Sequence, residues 1–411
     1  MKLMAMYSAQ LRNYAARVAS CCMHKWGSIE QSPATVAAQA ITKVKYGSGS
    51  MVQRLPLGMS AGMALMVKPA LLHCASATEI ASAATSSPGQ VVQAADLASG
   101  LPGGVEPQTV VSPEWLKSML SNDKLKVVDA SWYMPNEKRD TFQEYKDKHI
   151  PGAVFFDVDA ISDLTSHLPH MLPSEAAFEA AVSALGIQND SLVVVYDTKG
   201  IFSVARVWWM FRVFGHEKVW VLNGGLPKWQ DAGFPVVSHE SQLESSVEAV
   251  AAVKKVYSGQ QIPEVKFKAT LQPHLVWSAD QVRNNLQEKK YQLVDARGKA
   301  RFDGTAPEPR KGIRGGHVPG SNCIPFTEVL SKSGTLLTPE ELREKFSDAG
   351  VVAEDPIVTS CGTGVTACIL ALALHRLGKD DVPVYDGSWT EWGSLSATDA
   401  PVETNVGATS A

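Results

Sequence analysis

The two halves of this chain repeat one another, and that repeat constrains the fold more than any other feature. From about Val111 and again from about Val276 the same segments recur in the same order. Self-similarity at this spacing marks two structural units, each long enough to bury its own core. Residues 125–130 (LKVVDA) match 291–296 (YQLVDA), and His149-Ile150-Pro151-Gly152 matches His317-Val318-Pro319-Gly320, each pair reading as a strand and a turn. MLPSEAAF from Met171 matches LLTPEEL from Leu336; in each a Ser or Thr followed by Glu opens an apolar-periodic run, the signal of a capped helix. Short apolar, β-branched runs at 192–196 and 356–360 read as buried strands, and each leads through a short loop into a helix, 204–214 in the first half and 367–377 in the second. VWVLNGGLPKW, ending at Trp229, and VPVYDGSWTEW, ending at Trp392, close the halves alike. Strands alternating with helices predict an α/β fold with a central parallel sheet covered by helices, once per half.

The repeat sets the boundaries. Residues 106–238 form the first domain and 273–404 the second; 239–272 have no counterpart and carry polar clusters and a Gly259-Gln260-Gln261-Ile262-Pro263 turn, so they read as a linker with room for one short helix. Residues 1–105 form an extension of different composition. Its first 80 residues hold eight basic side chains against two acidic ones, Glu30 and Glu79. Arg12 and Arg17 lie among Leu11, Tyr14, Ala15 and Val18 at helical spacing. That chemistry predicts import into the mitochondrial matrix, with a plastid as the weaker alternative. The apolar run 61–72 is interrupted by Lys68 and Pro69 and is too short to span a bilayer, so no membrane helix is expected. A net charge of -4 leaves no broad basic footprint and argues against a nucleic-acid partner. Six cysteines spread over 411 residues are not a secreted disulfide scaffold.

One loop carries chemistry. After the paired strands the first half has Asp197-Thr198-Lys199-Gly200-Ile201-Phe202, and the second has Cys361-Gly362-Thr363-Gly364-Val365-Thr366. A tight loop entering a helix turns backbone N–H groups inward as an anion-binding nest, and ligands of such sheets bind beyond the carboxyl ends of the strands. A thiol there is biased toward thiolate, the form that attacks sulfur, and the same amides would hold a persulfide anion. Gly362 and Gly364 let the backbone curl around the sulfur. The reading fails if packed hydrocarbon seals that sulfur with no path from solvent. Cys368 and Cys323 read as packing residues. His149 and His317 recur in both halves and read as structural, and His167 with His170 lacks the further ligands a zinc site needs.

These motifs resemble the two-domain rhodanese-type sulfurtransferases, in particular their 3-mercaptopyruvate branch. The resemblance covers roughly residues 109–400 and rests on VDASWY at Val128, RVWWMFRVFGH at Arg206, APEPRKG at Ala306 and CGTGVT at Cys361. It implies two tandem rhodanese-like domains, the first without a nucleophile, and sulfur carried as a persulfide on Cys361 from 3-mercaptopyruvate, with thiosulfate a weaker donor. It implies that Arg301 and Arg310, read as lying on a Gly/Pro-rich loop, clamp the donor's carboxylate and keto oxygen, as the planar guanidinium fork suits. Gly362, Gly364, Val365 and Thr366 would line the donor site, and Asp159, His170 and Thr363 would handle protons. Thiosulfate-preferring relatives place cations inside the loop; Gly362 and Thr363 stand there in this chain. Acceptors would be thioredoxin, small thiols or cyanide, with no metal or organic cofactor. Two other readings stand beside this one: a persulfide carrier or sensor without turnover, and a Cys-based phosphatase, which needs a longer loop closing on an arginine where Thr366 and Ala367 lie.

Overall fold

The computed structural model describes residues 109–238, 243–262 and 264–405. The amino-terminal address and the apolar run 61–72 lie outside the described residues. The first repeat folds as β1 (Val110–Val111), α1 (Pro113–Met119), β2 (Leu125–Asp129), α2 (Thr141–Asp147), β3 (Val154–Phe155), α3 (Glu175–Ala184), β4 (Leu192–Tyr196), α4 (Val204–Val213), β5 (Val219–Leu222) and α5 (Gly225–Asp231). After α6 (Leu243–Tyr257) the second follows as β6 (Val276–Trp277), α7 (Ala279–Glu288), β7 (Gln292–Asp295), α8 (Lys299–Phe302), β8 (Asn322–Cys323), α9 (Pro339–Asp348), β9 (Ile357–Ser360), α10 (Ala367–Arg376), β10 (Val384–Tyr385) and α11 (Ser388–Trp392). The two sheets have the orders β1-β5-β4-β2-β3 and β6-β10-β9-β7-β8, the same order counted within each repeat. Every pairing is parallel, with Val127 opposite Val194 and Leu293 opposite Val358. β4 and β9 therefore run down the centre of their sheets, where both faces are covered, which is why LVVVY and IVTS show no polar alternation.

The helix starts follow the sequence signals. Ser174 accepts the N–H of Ala177 ahead of α3, and Thr338 forms a reciprocal capping box with Glu341 ahead of α9; such caps stabilise a helix by about 1 kcal/mol. The two loop-following helices, α4 and α10, pack against each other. All ten residues of α4 are buried, and one continuous core joins its Val207 and Phe211 to Ile369 and Leu370 of α10. The lobes thus meet along the two helices that begin at the paired loops; taking such an aliphatic or aromatic side chain fully out of water is worth about 1.5–3 kcal/mol, shared among all the groups it packs on.

The segment between the repeats is more than a tether. Residues 243–257 form a fifteen-residue helix, longer than the short one expected, and α6 packs on α3 through Ala249 and Val253. Its Ser246 hydroxyl accepts the Phe155 N–H, and the Tyr257 hydroxyl accepts the N–H of Ser174. The chain then runs back along the first lobe: the N–H groups of Lys266 and Phe267 share Ser183 Oγ, and Lys268 exchanges two hydrogen bonds with the Asn189 amide. His149 and His317 play matching parts, each donating Nδ1–H to a backbone carbonyl and each heading an antiparallel bridge.

Candidate active site

The Cys361 loop leaves the carboxyl end of β9 and enters α10. Its carbonyls are tied outward. Cys361 O accepts from Trp389 N, Gly362 O accepts from both the backbone and the hydroxyl of Thr390, and Gly364 O accepts from Arg206 Nη1 at 3.2 Å and from the Cys368 thiol. In a planar trans peptide the C=O and the following N–H point opposite ways, so carbonyls held outside leave N–H groups facing in. Among the described residues none of the N–H groups of residues 362–366 has a protein acceptor. Gly364 takes φ +73°, and a Cβ there would meet Asp386 O at 2.6 Å, so only glycine closes this turn. Cys361 N–H itself donates to Ser388 Oγ.

The equivalent loop of the first lobe shows what such amides hold. Asp197 is buried, and its carboxylate accepts the N–H groups of Lys199, Phe202 and Val204 at 2.8, 2.7 and 3.0 Å. Burial pushes the pKa of Asp197 up, and those amides pull against the rise. Leu226 N donates to Asp197 O as Trp389 N does to Cys361 O.

Around the cysteine loop the lobes converge. His170, at φ +61°, is buried with Nδ1 3.0 Å from Asp159 Oδ1, and Asp159 Oδ2 accepts the Trp132 indole N–H. Burial works against the Asp159 charge, but His170, Trp132 and the charge of Arg310 outweigh it and hold its carboxyl below the usual range. His170 Nε2 is buried and has no hydrogen-bond partner among the described residues. Arg206, from α4 of the first lobe, spans the gap: Nη1 bonds Asp386 Oδ1 at 2.7 Å as well as Gly364 O, and Nη2 bonds His170 O. Burial works against this guanidinium's charge; Asp386 and the sulfur groups of Cys368 and Cys361 outweigh that and raise its pKa.

Arg301 lies over the loop, with Nη2 3.3 Å from where a Cβ on Gly362 would sit. Its own partner is Glu308, whose Oε2 accepts Nη2 at 2.5 Å, while Glu308 Oε1 also accepts from Arg297 at 2.8 Å. Arg297 is buried against Asp295 and the Trp389 ring. Among the described residues Arg310 makes no ion pair or hydrogen bond, and its charge acts on Asp159 across the lobe boundary. The arrangement presents two guanidinium groups, a His–Asp pair and a row of open amides around one thiol.

Residues 112–232 and 278–395 each match the family described as the rhodanese-like domain. The chain belongs to the rhodanese family. This rhodanese is 58% identical over 72% of its length to thiosulfate/3-mercaptopyruvate sulfurtransferase 1, mitochondrial, of Arabidopsis thaliana, covering 78% of that protein. It is 45% identical to the thiosulfate sulfurtransferase of Rattus norvegicus, over 73% of this chain and 95% of that one. Among solved structures it resembles the 3-mercaptopyruvate sulfotransferase SseA of Escherichia coli, with TM-score 0.59 and 37% identity over 69% of this chain and 99% of that chain. The expectation of two tandem rhodanese-like α/β domains holds.

The residues singled out in the sequence of this rhodanese do gather at one place, with three differences. Cys361 is 1% exposed and belongs to the core that both lobes share, instead of standing open to solvent. The Thr363 hydroxyl bonds neither Asp159 nor His170, so the proton-handling set is joined only as the His–Asp pair. Arg301 sits on the short helix α8, whose four residues are too few to show periodicity, and only Arg310 lies in the loop. Of the other cysteines, Cys368 is fully buried, and burial raises its thiol pKa strongly. Cys323 is half-buried beside Arg297 O, its pKa pushed up to about 12, chiefly by burial. Arg206, Asp386 and Glu308 had no role in the sequence reading; the signal for the first was that it is one of two cations, with Arg212, in an apolar helix, RVWWMFRV.

Proposed function

We propose that the protein is a 3-mercaptopyruvate sulfurtransferase, using thiosulfate as a weaker donor, with Cys361 as sulfur carrier. The observation that carries this reading is the row of unoccupied amides at Cys361, in the same loop whose counterpart holds the Asp197 carboxylate. A thiolate on Cys361 attacks the donor's sulfur; an S–S bond forms, the C–S bond breaks, and its electron pair leaves on carbon as the enolate of pyruvate. A proton from the transferred sulfhydryl or from the His170–Asp159 pair reaches that carbon, and pyruvate departs. The outer sulfur then lies among the N–H groups of Gly362, Thr363, Gly364, Val365 and Thr366, which stabilise its charge without reorganisation. A small thiol, thioredoxin or cyanide attacks this outer sulfur and Cys361 leaves as thiolate.

Arg301 and Arg310 take the donor's carboxylate and keto oxygen, and the loop's lack of cations at Gly362 and Thr363 disfavours the thiosulfate dianion, which has no other handle. Cys361 is 1% exposed, so the side chains over its loop must move to admit the donor, from the side where Asp159 faces solvent. Residues 106–238 and 273–404 act as the silent and the reactive domain, joined by 239–272, and the basic, acid-poor leader directs the chain to the mitochondrial matrix.

Mass spectrometry after mercaptopyruvate treatment tests the proposal: the parent protein gains one sulfur atom and Cys361→Ser gains none, with pyruvate release abolished. Retained pyruvate release in Cys361→Ser overturns it. Sulfur uptake without steady-state pyruvate release in the presence of thiols would make the protein a carrier and not an enzyme.

A further inference from the structure

The molecule contains its own control, because the repeats differ where the site forms. Placing the N-caps Ser174 and Thr338 together pairs His170 with Gly334, both at positive φ (+61° and +73°). Counting nine residues from Asp197 and from Cys361 pairs Arg206 with Leu370, and the strand ends pair Asn223 with Asp386. The two halves share one cross-lobe contact. Asn223 Oδ1 accepts Leu336 N–H, and Asp386 Oδ2 accepts Leu172 N–H, each at 2.9 Å. A neutral amide makes that contact in the silent half, so joining the lobes does not require a charge. The charge appears only beside the cysteine, as the buried Arg206–Asp386 pair. Buried pairs are weak contributors to stability against an apolar replacement, such as Leu370 provides in the other helix.

We infer that Arg206, held by Asp386, is a positioning residue for the Cys361 loop. Its Nη1 fixes the Gly364 carbonyl, which turns the Val365 N–H of the same peptide toward the sulfur site. Its Nη2 fixes the His170 carbonyl, holding that histidine in a left-handed backbone conformation that non-glycine residues rarely adopt. The lobe with Asp197 in place of a nucleophile thereby supplies the cation that shapes the nest of the other. This deepens the sulfurtransferase reading and rests on it.

The test compares Arg206→Met, Arg206→Lys and Asp386→Asn in the full chain, by alkylation of Cys361 with iodoacetamide at pH 7 and by mercaptopyruvate kinetics. Arg206→Met slows alkylation about fivefold by removing the cation and lowers kcat about 100-fold, the loss typical of one misdirected amide donor. KM stays within about twofold, since Arg301 and Arg310 are untouched. Arg206→Lys keeps the charge and restores the alkylation rate but not kcat, because an ammonium cannot grip two carbonyls and a carboxylate at once. Asp386→Asn unmasks the cation and speeds alkylation. Should Arg206→Met not fold, the opposite directions in the other two variants decide. Alkylation unchanged in all of them, or falling in all in step with Tm, overturns the inference. Alkylation needs no sulfur donor, so a parent enzyme that takes no sulfur would sink the sulfurtransferase proposal while these rates still judge Arg206.

Discussion

Asp197 occupies in the first lobe the place that Cys361 occupies in the second, and its carboxylate fills an amide nest that the cysteine leaves open. One backbone geometry thus has two occupants, a permanent anion built into the chain and an acquired one. The silent loop satisfies its amides from within the chain, whereas among the described residues the amides of the cysteine loop have no protein acceptor.

Replacing Asp197 by Asn should destabilise the protein without touching turnover. The amide retains one oxygen, which can satisfy Phe202 and Val204, but its NH2 group faces the Lys199 N–H. A buried donor left without an acceptor costs about 1–3 kcal/mol. Urea unfolding of Asp197→Asn at neutral pH measures the loss, and kcat with mercaptopyruvate should stay within about twofold of the parent.

The buried Asp129 makes a pH-dependent contribution. Its Oδ1 accepts Ser131 N–H, while Oδ2 has no hydrogen-bond partner among the described residues. In the second lobe the equivalent Asp295 is paired with Arg297, at the position where the first lobe has Ser131. Burial raises the Asp129 pKa from 3.8 to about 6. A folded-state value above the unfolded one means that the stabilising contribution is full below pH 4 and is lost as pH rises through 6. A displacement of this size corresponds to about 3 kcal/mol. Asp129→Asn should therefore be more stable than the parent at pH 7.5, and the advantage should vanish near pH 4.5, as read from urea midpoints across that range.

The parts of the fold that depend on local pattern were legible: the strands at 192–196 and 357–360, the caps at Ser174 and Thr338, and the glycine turn around Cys361. What depends on contact between lobes was not. Cys361 lies in a core built from both lobes, and no spacing in the sequence encodes which helix covers which loop. The roles of Arg206 and Glu308 likewise come from partners distant in sequence or on another element, Gly364 and Asp386 for the first, Arg297 and Arg301 for the second. In α6 the buried Ser246, Ala249, Ala252 and Val253 do recur at helical spacing, but they are small, and a stripe of small side chains reads as polar linker.

That strap has a measurable weight in the first lobe. Phe267, outside both repeats, is fully buried with its ring 5.8 Å from Phe178 and 6.3 Å from Phe211. Truncation of a buried phenylalanine costs about 3–5 kcal/mol through lost transfer energy and the cavity left behind. Phe267→Ala should show this loss in urea unfolding, whereas Val247→Ala on the exposed side of α6, at 56% exposure, should change stability by less than about 0.5 kcal/mol. A mild effect at Phe267 would mean that residues 243–272 are only a tether.

The two arginines should separate by their readouts. Arg301 has Nη2 and Nε turned to Glu308, which leaves Nη1 for a ligand, and Glu308 is itself fixed by Arg297. Losing a charge-assisted hydrogen bond costs about 1.5–3 kcal/mol, so Arg301→Ala should lower kcat/KM for mercaptopyruvate by about 10- to 150-fold. Arg301→Lys should not rescue it, because a point charge cannot hold Glu308 and donor together. Glu308→Gln should raise KM without a comparable change in kcat, since it loosens the clamp and leaves the sulfur site alone. Arg310 acts also on Asp159, whose carboxyl it helps hold below the usual range. Removing that cation lets the Asp159 pKa rise toward its ordinary value, so the acid limb of the kcat/KM profile should move to higher pH in Arg310→Ala and stay in place in Arg301→Ala. Identical pH profiles for the two variants would show that Arg310 and the His170–Asp159 pair do not work on the same substrate.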